Sequence, residues 1–215
     1  MNLLSVLFST SSNSSNPIPV KNRAILGIST LWILTILSHN LLKNQLLSIN
    51  IIIISIISPL FWYSYKINSI PHKLDKFFVW TLIPILLPQT IKSNHLWLYI
   101  TNINFMIICF CISEISIIYK KYKYQLISHL AFRHLFFAWC FFLTMDFELD
   151  YLYFIIISIS HTIHNIYMYK KDFKLNLFNY LYYIHQTLSI IVLHEYSYYY
   201  LKNDYLLKNK ELLIE

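Results

Sequence analysis

The chain has 215 residues, 57% of them hydrophobic and 13% charged, with a formal net charge of +7 and a mean hydropathy of +0.50. A soluble domain carries about 25% charged residues, so this composition cannot cover a water-soluble globule. The basic excess is mostly lysine flanking apolar blocks, which speaks for membrane topology and anionic-lipid contact and gives nucleic-acid binding little support.

A serine- and asparagine-rich opening, "STSSNSSNPIP", makes residues 1–23 a flexible polar tail, with a cleaved transit sequence as the alternative. The apolar blocks that follow have the length a bilayer core requires, about 20 residues. They predict an all-α, polytopic transmembrane helix bundle over residues 24–194, with six or seven spans. The first span is expected at Ala24–Leu42, the second at Ile49–Tyr65 and the third, kinked by Pro84 and Pro88, at Leu74–Thr90. The fourth is expected at Leu96–Tyr119, the fifth at Leu126–Met145 and the sixth at Tyr151–Tyr169. A seventh, Leu175–Leu193, is diluted by Asn176, Asn179, His185 and Gln186, and residues 195–215 read as a polar tail.

Residues with AT-rich codons (Ile, Asn, Lys, Tyr, Phe) dominate, while glycine occurs once, so tyrosine and asparagine abundance says little about function. The same bias singles out Arg133, because Arg23 is the only other arginine. Cys109, Cys111 and Cys140 sit inside apolar runs and read as buried thiols, with neither a disulfide framework nor zinc-knuckle spacing.

Basic loops stay cytoplasmic. If every span crosses, Lys21 and Arg23 lie on one side with Lys66, Lys73, Lys76, Lys120, Lys121, Lys123, Lys170, Lys171 and Lys174. The opposite loops hold Lys43 and Lys92 and the acids Asp146, Glu148 and Asp150, so the N-terminus is expected inside.

That orientation places polar residues at a shared depth. His161 and His164, one turn apart in "HTIH", lie about 13 and 9 Å from Lys170 along the sixth span. His129 and His134 enter the fifth span from the same side, and His72 and Asp75 the third. Glu114 lies in the inner half of the fourth span, and His185 joins this half if the seventh segment crosses. His39, His95 and His194 mark the outer ends. Zinc takes three or four His, Cys or carboxylate ligands, and a catalytic zinc keeps one position for water. Arg133 lies about 15 Å from Lys123, near mid-bilayer, and a structural ion pair with Glu114 is expected, since charges within spans pair and face inward. Asp75 is the second candidate partner. His129 and His134, five residues and roughly 140° apart, cannot both point squarely at one centre.

Ser58 in "SPLFW", Asp75 in "HKLD" and the His161–His164 pair resemble the pattern of alkaline ceramidases and adiponectin-receptor relatives, a seven-helix membrane superfamily. The chain departs from that pattern at three points. Trp62 stands where a histidine would be expected, two residues rather than three separate the late histidines, and that pair falls on the sixth span. "FWYSYKINSIPHKLDKFF" and "SHLAFRH" are also similar to pieces of uncharacterised multi-span proteins of large DNA viruses and algae. The first resemblance implies a zinc-dependent hydrolase of a lipid amide or ester. In that reading His72, His129 or His134 and His161 or His164 hold the metal, Asp75 is the catalytic carboxylate and Arg133 meets the headgroup. The other reading, favoured by the residues themselves, is a non-enzymatic multi-pass protein of the lipid bilayer. Its polar inner half then glues helices or lines a proton or ion path. No oligomeric state follows from either.

Overall fold

The computed structural model describes residues 18–37, 44–66, 69–144, 147–171 and 173–211, and among them the chain is all-α. Helix α1 spans Val20–Ser29 and continues as a 3-10 segment over Thr30–Ile36. Then come α2 (Gln45–Ser64), α3 (Ile70–Lys92), α4 (Leu96–Ile118), α5 (Tyr122–Thr144), α6 (Phe147–Lys170) and α7 (Leu177–Glu211). Four of these, α2 to α5, are long and apolar enough to cross a membrane. Residues 1–17 of the expected tail, His39, Lys43 and Asp146 lie outside the described residues.

The local chemistry sets the boundaries. Asn44 accepts from the Leu47 amide and starts α2 before the expected Ile49. Ser69 caps the His72 amide, with Pro71 in the first turn, so α3 begins before Leu74. With a single glycine in the chain, left-handed positions after helices fall to Tyr65 (φ 35°) and Lys120 (φ 55°), which carry the steric penalty glycine avoids. Beyond Pro88 there is neither proline nor glycine. Nothing breaks α7, which runs through Glu211 and makes a helix of most of the expected C-terminal tail.

The first apolar block differs most from expectation. It forms a central post, packed against α2, α5, α6 and α7. The Ser29 and Thr30 hydroxyls both donate to the Leu26 carbonyl, and Thr35 donates to that of Trp32. These back-bonds compete for the carbonyls of the α-ladder where the winding tightens to 3-10. The α-helical half packs into a core with Trp62, Tyr65, Met168 and Tyr180, and the 3-10 half into a second core with Leu47, Leu86, Trp139 and Phe141.

One end of the bundle gathers the basic segments. Lys21 lies over the Tyr169 ring at 4.9 Å, Asn22 donates to the Tyr122 carbonyl at 2.8 Å, and Arg23 reaches the Tyr63 carbonyl at 3.4 Å. The start of α1, the end of α2, the start of α5 and the end of α6 therefore meet. At the other end Tyr153 of α6 donates to Glu195 of α7 at 2.8 Å.

Candidate functional site

Helix α6 is built inside out. Ile156, Ile159, Ile163 and Ile166 form an exposed stripe at helical spacing, while Ile157, His161, His164, Asn165 and Met168 are buried. In water this arrangement would expose the apolar face and bury the polar one.

His161 lies against Trp32 of the post, ring centroids 4.5 Å apart, and is stacked on His134 of α5 at 4.4 Å. His161 Nδ1 and His134 Nε2 are 3.2 Å apart, a hydrogen bond in which one ring must donate. His164 and His194 complete the ring around Trp32 at 6.3 and 6.4 Å, and His194 Nε2 is 3.0 Å from Ser160 Oγ. His161 Nε2, both nitrogens of His164 and Trp32 Nε1 are buried without a protein hydrogen-bond partner. Three such atoms around one indole, whose own nitrogen is a fourth, are unusual, because buried polar groups are nearly always satisfied.

A second group lies on the neighbouring face of the post. Arg133 of α5 donates through Nη1 to Ser29 Oγ at 2.6 Å and sits over the Trp62 ring at 5.5 Å. The carboxyl whose field reaches it is that of Asp75 on α3. Asp75 lies beside Ser58, and its Oδ1 is buried with no hydrogen-bond partner. Tyr180 donates to the Pro59 carbonyl at 2.8 Å, and its hydroxyl stands where a Cβ on Gly27 would be, 2.5 Å away.

These distances redistribute the residues singled out in the sequence. His129 and His134 diverge as their spacing requires. His129 pairs with Ser113 of α4 at 3.2 Å and meets the Trp62 edge, while His134 turns to α6. His72 stacks on Phe61 at 4.9 Å, apart from the Trp32 cluster. Arg133 is held by Ser29 and the Trp62 ring, and of the two acids expected as its partner Asp75 is the one whose field reaches it. His185 is exposed. His194, expected at an outer interface, packs on Trp32 because α7 lies against the 3-10 segment.

Among the described residues no three His, Cys, Asp or Glu side chains gather into a group that could hold a metal ion. His72, His129, His134, His161 and His164 are divided among Phe61, Ser113 and Trp32, a poor fit to tetrahedral zinc. Ser29, Trp32 and Ser160 were not identifiable beforehand, because a serine or tryptophan in an apolar block has no spacing that marks it. No protein-family model matches the chain, and no curated protein or solved structure is significantly similar to it.

Proposed function

We propose that this is a seven-span, non-enzymatic integral membrane protein, N-terminus inside, whose histidine-lined core passes protons along the bundle axis. Support for seven spans comes from helices outside the four most apolar ones. In the post, ten residues at about 1.5 Å and seven at about 2.0 Å reach about 29 Å, close to the hydrocarbon thickness of about 30 Å. Helix α6 turns isoleucines outward, and α7 exposes Phe178, Val192 and Leu193. The gathering of the basic segments at one end supports this sidedness, since lysine-rich loops prefer the cytoplasm.

The observation that carries the functional reading is the set of unpartnered nitrogens on His161 and His164. Helix glue needs satisfied partners, and these atoms have none. Imidazole can accept a proton at one nitrogen and release it from the other. His134 and His161 already share a hydrogen bond, and the His194–Ser160 and Tyr153–Glu195 contacts extend the polar series toward the far end.

Protein reconstituted in liposomes with a pH dye should acidify or alkalise the lumen when a potassium diffusion potential is imposed. His161→Phe keeps an aromatic ring against Trp32 and should reduce that flux at least tenfold, toward protein-free liposomes. Undiminished flux in His161→Phe would assign the cluster to packing.

Sidedness has its own test. With cysteine in place of Lys121, an impermeant maleimide should fail to label intact right-side-out vesicles, whereas cysteine in place of Glu148 should react. The opposite pattern would invert the topology.

A further inference from the structure

A groove of about 380 Å³ runs between α5 and α6 at the basic end. Lys123 and Lys170 flank it, Leu126, Ile127, Leu130, Ala131 and Ile166 line its length, and Ile25 of the post also lines it. Lys21 joins this mouth through Tyr169, and no aspartate or glutamate is among the described lining residues. Along α5 the groove extends about 16 Å from Lys123 to His134. Asn165, about 7 Å from Lys170 along α6, also lines it, and its Oδ1 is buried without a hydrogen-bond partner.

We propose that this groove binds one anionic glycerophospholipid, with its phosphate at Lys123 and Lys170 and one acyl chain along the apolar wall. The proposal rests on the membrane reading above and is independent of proton transfer. Cations at the mouth, hydrocarbon below and an unsatisfied amide oxygen at the level of the glycerol match such a lipid in order. Asn165 Oδ1 is satisfied by a water or hydroxyl that enters with the glycerol. A volume near the lower end of the ligand-pocket range, about 300–1,000 Å³, takes one chain and leaves the other in the bilayer. A zwitterionic lipid offers the same chains but balances its phosphate with its own cation.

Native mass spectrometry of the full chain in detergent, with phosphatidylglycerol, phosphatidylcholine or soluble glycerol phosphate added, tests this. One phosphatidylglycerol should be retained per chain, with phosphatidylcholine and glycerol phosphate bound much more weakly. K123A with K170A, both at exposed positions, should weaken retention roughly twenty-five-fold, since each cation near an anionic headgroup contributes about a factor of five. Ala131→Phe fills the wall with the lysines intact and should also release the lipid. K66A with K73A, elsewhere on the basic side, should not. Equal loss in that control, retention in Ala131→Phe, or equal binding of glycerol phosphate would each overturn the groove. Extraction of the protein from membranes by alkaline carbonate would instead overturn the membrane reading beneath it.

Discussion

Arg133→Leu should destabilise the bundle by on the order of 3 kcal/mol, and adding Asp75→Leu should restore most of that loss. The arginine is held by Ser29 on the post and by the Trp62 face, and the field of the Asp75 carboxyl reaches it. Neither charge belongs in hydrocarbon alone. An unpaired charge near the bilayer centre costs about 2.5–3.5 kcal/mol on insertion scales, and Asp75 already has one oxygen without a donor. Removing only the guanidinium strands that carboxylate, whereas removing both leaves two leucines among apolar neighbours. Glu114→Leu added to Arg133→Leu should rescue nothing, because Lys76 and not Arg133 is the cation whose field reaches Glu114. Arg133→Lys should fall between, keeping the charge but losing the planar face over Trp62. Thermal unfolding of wild type and these variants in one detergent separates the cases. Rescue by Glu114→Leu would make it the partner, and equal stability throughout would remove the pair from the account.

The limits of what the residues disclosed beforehand have particular causes. Helices α2 to α5 were legible because about 20 apolar residues between lysine-bearing loops have few other folded forms. Divergence of His129 and His134 followed from helical geometry, since five residues turn about 140°. Which acid's field reaches Arg133 did not, because depth along the axis constrains Asp75 and Glu114 alike. The 3-10 winding of the post was hidden for a related reason. Ser29, Thr30 and Thr35 look like ordinary tolerated hydroxyls, and their capture of the Leu26 and Trp32 carbonyls appears only in three dimensions. His194 was assigned to an interface by its place at the end of an apolar block, yet α7 continues to Glu211 and lays that position against Trp32. Long-range contact decided the place of His194, whereas local back-bonds accompany the winding of the post.

The one glycine supplies the second large effect, and here two opposing magnitudes set the sign. In an open helix interior, Gly→Ala is favourable by about 1 kcal/mol. At Gly27 the added Cβ would lie 2.5 Å from the Tyr180 hydroxyl and 3.3 Å from Trp62 Cβ. Tyr180 cannot simply swing aside, because its ring is buried and its hydroxyl donates to the Pro59 carbonyl. Displacing it breaks that hydrogen bond, leaves buried polar atoms unsatisfied and wedges the post away from α2 and α7. Overpacking of this kind costs about 1–3 kcal/mol, and an unmade buried hydrogen bond about 1–3 kcal/mol more. Gly27→Ala should therefore be net destabilising by about 2 kcal/mol, and Gly27→Val by more, as its branches extend into the same contact. Tyr180→Phe identifies the cause. Without the hydroxyl, the nearest ring atom to the new Cβ is Cζ at 3.5 Å, an ordinary contact. Tyr180→Phe alone should cost about 1 kcal/mol for the lost hydrogen bond. In the Gly27→Ala background the same change should be stabilising, so that the two substitutions couple with opposite sign to their separate effects. Unfolding of the four proteins in detergent measures that coupling. Additive losses would mean that the post does not approach Tyr180 so closely and that Gly27 has another role.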